Sequence, residues 1–150
     1  MRWMSEGLVG RGDFDAVVIR TDYADERAWL ALVATLPQHV HLIDAPSWSG
    51  ASAEDVLTAT RDADDLSVVF LADTTTMRSA PPALLALTTL TPDDCEDDED
   101  YARLTESGPT FRTTPPGIPD IHANLTLGNL GFEEYAAWAG ESPDGVYRSA

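Results

Sequence analysis

Three short strand-like runs constrain this chain more than any other feature. Ala16-Val17-Val18-Ile19-Arg20 and Ser67 to Ala72 are nearly continuous in apolar residues, and His39 to Ile43 reads as a further strand. A strand with no polar face must be covered on both sides, which is the pattern of a buried, parallel sheet. The segments between the runs have helical spacing. Asp22 is a candidate N-cap with Asp25 three residues on, and Glu26 suits the positive end of a helix dipole. Trp29, Leu32, Val33 and Leu36 then fall on one face, and Pro37 stops the helix. Ser52 with Asp55 caps a second, shorter helix carrying Val56, Leu57 and Ala59. Strand, helix, strand, helix, strand at this spacing predicts right-handed crossovers in an α/β sheet.

Beyond Asp73 the pattern is looser. Thr74 to Met77 reads as a turn or one helical turn, and Ala83 to Leu90, bounded by prolines, as a strand. Thr110 to Thr114 is the next strand, ended by Pro115-Pro116-Gly117. Helices are predicted around Asp120 to Leu127 and Gly131 to Ala139, with an edge strand at Val146-Tyr147-Arg148. The expectation is one α/β domain over 15–150, after a loose leader at 1–14. Its central sheet is mostly parallel, of about five strands flanked by helices, with a helical C-terminal region. Residues 91–106 form an acidic loop, expected to be solvated and mobile.

Composition excludes several chemistries. Of 150 residues, 26 are Asp or Glu and 9 are Lys or Arg, giving a net charge of −17. Binding to nucleic acid or to an anionic membrane requires the opposite balance. All of the cations are arginine, so a Walker A loop and a Schiff-base lysine are both impossible. No G-x-G-x-x-G follows a strand, and Pro46-Ser47-Trp48-Ser49-Gly50 has only a superficial likeness to a nucleophile elbow. The single cysteine, Cys95, cannot form an internal disulfide, and the acids around it disfavour a thiolate. No signal-like run opens the sequence, and the longest apolar stretch, Ala28 to Leu36, is too short to span a bilayer. A soluble, cytoplasmic protein is expected.

Several stretches together resemble a family of small actinobacterial proteins described only as a domain of unknown function. They are Val18-Ile19-Arg20-Thr21-Asp22 before a Trp-bearing helix, Phe70-Leu71-Ala72-Asp73 followed by threonine, and Phe111-Arg112. The tail from Asn124 to Tyr135, NLTLGNLGFEEY, is the most specific portion. The likeness spans most of 16–148 and departs at the acidic segment and at Gly131, where an acidic cap is common in the family. It implies a fold and a class; it brings no catalytic residues.

The candidate sites follow from placement. Asp22, Asp44 and Asp73 each follow a predicted parallel strand, and ligands of open α/β sheets bind beyond the strand carboxyl ends. Three carboxylates converging there would suit Mg²⁺, in outline like a phosphoacceptor receiver domain, although the acidic pair and the lysine of that family are missing. The competing reading is local: Asp caps helices and opens turns without any ligand. His39 and His41, spaced to share a strand face, would need His122 to make a metal site, and partly exposed histidines are the plainer reading. The acidic run lacks the glycine and the terminal glutamate of a calcium loop. Trp29 and Trp138 are expected in the core, whereas Trp48, in a Pro/Ser/Gly loop, is either a core plug or an exposed anchor.

Two principal functions compete. One is an acidic, non-enzymatic protein-interaction module, immunity-like or otherwise neutralising a basic partner, using Trp48, Asp97, Asp98 and Glu99 and needing no cofactor. The other is a Mg²⁺-dependent small-ligand or phosphoryl site at Asp22, Asp44 and Asp73. A structural subunit, marked by an exposed apolar patch, is a third.

Overall fold

Every residue of Ala16–Arg20 (β1) is buried, as are those of Val68–Ala72 (β3), and the two lie side by side in parallel. The computed structural model describes residues 15–37, 39–60 and 66–148. The leader expected at 1–14 lies outside them. Burial on both faces is visible in the alternation along β1. Val18 packs with Phe70 and Ala72 on one side, and Val17 and Ile19 pack with Val69 and Leu71 on the other.

Val40–Ile43 (β2) pairs with the outer edge of β1, also in parallel. The early strands therefore wind in one direction, as their apolar runs predict. Leu84–Thr88 (β4), Thr110–Thr113 (β5) and Val146–Tyr147 (β6) extend the sheet to six strands in the order β2-β1-β3-β4-β5-β6. β4 is antiparallel to both of its neighbours, and β6 runs parallel to β5. The sheet is thus mixed, with β4 alone reversed, and it has one strand more than expected. The connection explains the reversal. After β3 the chain forms only a five-residue helix, Thr74–Arg78 (α3), too short to cross the sheet and return in parallel. Pro81 and Pro82 then lead it straight back down.

Helices cover both faces. Glu26–Thr35 (α1), Gly117–Leu127 (α5) and Phe132–Glu141 (α6) lie on one face and bury Trp29, Leu32, Ile118, Ile121, Phe132 and Tyr135 against it. Ala53–Thr60 (α2) covers the other through Val56, beside Trp48 and Leu66. The acidic segment is not a structureless loop. It folds into a 3-10 turn, Pro92–Asp94, and a helix, Asp98–Leu104 (α4), capped by Asp97, whose carboxylate accepts from the Asp100 amide at 2.8 Å. Asp98, Glu99 and Asp100 in its first turn face the positive end of its dipole, which is why so dense an acidic run can be helical. Among the described residues, no helix is long and apolar enough to cross a membrane.

Candidate functional site

The carboxyl ends of β1, β2 and β3 form one rim, and Asp22, Asp44 and Asp73 all stand on it. The residue that organises its first half is Arg20, the last of β1. Pairing as a β residue sends its side chain to the face of Val18, directly beneath the start of α1. There the guanidinium lies between two rings, 4.1 Å from the centroid of Tyr23 and 4.9 Å from that of Trp29. Its Nε donates to the Asp22 carbonyl at 3.0 Å, Nη2 to Glu26 at 2.9 Å and Nη1 to Asp44 at 3.4 Å. Tyr23 closes the cage by donating its hydroxyl to the Ala45 carbonyl at 2.8 Å. Burial, reinforced by Asp44, holds that phenol far above its ordinary pKa and therefore neutral.

Asp22 is not the cap of α1. Its carboxylate accepts from the Ala24 amide at 3.0 Å in a tight turn, and Asp25, three residues on, takes the cap by accepting from Ala28 at 3.0 Å.

Asp73 organises the second half. It caps α3, accepting from the Thr76 amide at 3.0 Å, while Arg112 of β5 grips both of its oxygens at 2.9 and 2.8 Å. Arg112 also donates to the Ala83 carbonyl at 3.0 Å, so one guanidinium ties the ends of β3, β4 and β5 together. Burial raises the Asp73 pKa, but the Arg112 and Thr76 hydrogen bonds outweigh it and hold the carboxyl below its ordinary value.

The rim thus brings the three aspartates to one edge without gathering them around a point. Asp44 is bound to Arg20, Asp73 to Arg112, and Asp22 to its own turn. Among the described residues, no group of three or more His, Cys, Asp or Glu is placed to hold a metal ion. The histidines do not assemble either. His39 turns into the left-handed region at φ 63° before β2 begins, so it does not continue His41's strand face, and His122 is buried on α5.

Trp29 and Trp48 both lie in the core, whereas Trp138, also expected there, does not. Trp48 is only 1% exposed and packs with Val17, Ile43 and Val56, so its indole is a core plug and not an anchor open to a partner. Trp138 is 44% exposed. Phe132, Tyr135, Ala136 and Ala139 already fill the buried stripe of α6, which leaves Trp138 on its flank. Asp97, Asp98 and Glu99 are exposed on the acidic helix. Near it, the Cys95 thiol is pushed up by desolvation and by Asp100 and Asp94, which agrees with an unreactive cysteine. A cleft of about 410 Å³ opens at the far end of the rim, walled by Pro81, Pro82, Pro115 and Pro116, with Arg148 at its edge. That arginine is already paired with Asp144 at 2.6 Å.

Arg20 and Arg112 are what sequence reasoning missed. The available signal was a cation closing an otherwise apolar run, Ala16-Val17-Val18-Ile19-Arg20, in a chain with few cations.

The fold and this rim define a small α/β protein with a mixed sheet, in which two of the three acids at the strand ends are paired with arginine. The chain belongs to the family described as Domain of unknown function (DUF6924), whose model matches residues 15–150. Comparison with curated proteins finds no match.

Proposed function

We propose that this chain is an acidic protein-binding module whose partner presents a basic surface. One observation carries the reading: its most concentrated acids sit outward on a capped helix, while at the rim Asp44 and Asp73 are each paired with an arginine. Asp97, Asp98 and Glu99 are exposed at the start of α4, and Asp93, Asp94 and Glu96 lie just before it. Only Arg103 within the segment offsets them, and it is paired with Asp100. An ordered acidic patch on a chain of net charge −17 attracts cationic proteins over distance and repels nucleic acids. Neutralising a basic toxin-like protein is one role that such a surface suits.

The magnesium reading gains no support from the rim, because Asp44 and Asp73 are each paired with an arginine and the three aspartates do not gather around one point. The test is capture from native lysate at low salt by the wild type and by Asp97→Asn/Asp98→Asn/Glu99→Gln. Asn keeps the helix cap at Asp97. Captured proteins are then purified and titrated calorimetrically. The expected partner is basic, binds with an affinity that falls steeply with salt, and loses about ten-fold in the triple variant. A partner indifferent to both salt and the variant, or no reproducible partner, overturns the proposal.

A further inference from the structure

We infer that the outer face of α6 is a second contact of the same partner, one that receives an arginine or lysine side chain on the ring of Trp138. The inference rests on the basic-partner reading above and adds a site to it. Trp138 is 44% exposed yet packed against two other rings. Its ring meets Tyr135 edge-on at 5.3 Å and 87°, and leans over Tyr147 at 6.4 Å and 27°. Tyr147 is itself fixed by donating its hydroxyl to Asp120 at 2.7 Å, and Tyr135 by contacts to Asn124 and Asp120. A large aromatic packed on two others, with nearly half its surface in water, has the form of a preorganised anchor.

Charge selects the occupant. Glu134, one turn before Trp138, and Glu141, three residues after it, share its helical face and are exposed. Glu134 accepts from the Gly131 amide at 2.8 Å, while the Glu141 carboxylate makes no hydrogen bond or ion pair with a described residue. The cation nearest in sequence, Arg148, is held by Asp144, and both guanidinium–ring contacts among the described residues belong to Arg20. Among the described residues, the face is therefore an aromatic ring between two carboxylates with no cation seated on it. That chemistry fits a cationic side chain lying flat on an indole, as Arg20 does on Tyr23 and Trp29 inside the fold. It disfavours a second copy of this chain, which would bring more acid.

The test uses full-length protein labelled with 5-fluorotryptophan, the Trp138 resonance being assigned from Trp138→Tyr. The probe is a short capped peptide of alternating arginine and glycine, with a citrulline peptide of the same length as its uncharged counterpart. The arginine peptide is expected to move the Trp138 resonance saturably at low salt, and the citrulline peptide to leave it unmoved. Trp138→Leu should weaken the titrated affinity about five-fold and Glu141→Gln about two-fold, whereas Trp138→Tyr retains most of it. Equal binding by Trp138→Leu overturns the inference, as does an equal shift with citrulline or a Trp138-dependent dimer in sedimentation. Binding lost in Asp97→Asn/Asp98→Asn/Glu99→Gln but unchanged in Trp138→Leu removes this site and leaves the acidic-helix proposal standing. The converse result removes the α4 patch and leaves Trp138.

Discussion

Arg20 allows the reasoning about the rim to be tested quantitatively. Its side chain is 3% exposed, while its carboxylate partners Glu26 and Asp44 are 66% and 42% exposed. Replacing it with methionine keeps most of the volume and removes the charge. Two opposing effects follow. The guanidinium no longer has to be desolvated, which favours the variant by some kcal/mol and in other proteins makes such replacements neutral. Against this stand the two ring faces, worth about 1 kcal/mol each when desolvated. The half-solvated carboxylate bonds add about 0.5–1 kcal/mol each. Repulsion decides the sign, because without Arg20 the carboxylates of Glu26 and Asp44, both bonded to it, are left with no cation between them. Arginine is also the more weakly hydrated cation, so its desolvation is the smaller loss.

A net destabilisation of about 2 kcal/mol is expected for Arg20→Met, and about 4 kcal/mol for Arg20→Ala, which adds a cavity between the rings. In urea this lowers the midpoint of Arg20→Met by about 1 M at a slope near 2 kcal/mol/M. Added salt at about 0.5 M should halve the Arg20→Met loss, since both the lost pairs and the new repulsion are screened. Asp44→Asn combined with Arg20→Met should recover part of it. A variant within about 0.5 kcal/mol of wild type, with no dependence on salt or on Asp44, refutes the claim that this guanidinium holds the rim.

Asp73, held below its ordinary 3.8, contributes stability that is present above that pH and lost as pH falls through its folded pKa. Asp73→Asn should therefore be less stable at pH 7 and show a flatter acid limb below about pH 4 in urea titrations. Trp48→Ala should cost about 3–5 kcal/mol and Trp48→Phe appreciably less, with the latter's affinity for the arginine peptide unchanged. A loss of binding in a stably folded Trp48→Phe would reinstate Trp48 as a partner contact. A Cβ at Gly117 would stand 3.1 Å from the Tyr147 ring and collide with the Thr113 hydroxyl. Gly117→Ala should lose about 1–3 kcal/mol, part of it recovered by Thr113→Ala, as read from thermal unfolding.

What could be read from the chain was whatever is encoded locally. β1 and β3 announce themselves because a strand covered on both faces needs no polar alternation, and the Trp29 to Leu36 stripe follows from helical geometry alone. The cap of α1 fell one turn later than expected because Asp22 and Asp25 both qualify, and the tight turn at Ala24 uses the first. The residues of β4 were legible but its direction was not. Direction depends on whether the connection can cross the sheet, and α3 cannot. The acidic segment looked like a loop because its like charges repel, an effect that the Asp97 cap and the helix dipole counter. The rim was half legible. The positions of Asp22, Asp44 and Asp73 followed from their places after three predicted parallel strands, but Asp44 lies 24 residues from Arg20 and Asp73 lies 39 from Arg112. Pairings that distant leave no trace in local spacing.

The placement of the cations gives the acidity its meaning. Arg20 and Arg112 are largely buried at the rim and hold acids inward, while Arg103 and Arg148 are paired with Asp100 and Asp144 on their own segments. Among the described arginines, only Arg27 and Arg78 are exposed without a carboxylate partner. A chain of net charge −17 that merely needed solubility would gain nothing from spending scarce cations inside. Here two of them tie strand ends together, and on the proposed reading the helices carry the surface for recognition. The same division predicts an asymmetry. Arg103→Gln, by freeing Asp100 beside Asp97 and Glu99, should tighten binding of a basic partner at low salt with little change in stability. Arg112→Gln should do the reverse, lowering stability through the Asp73 pair while leaving the outward surface, and hence binding by the folded fraction, as it was. Equal effects of the two variants on affinity would mean that the inner and outer charges act as one field, and the division would not hold.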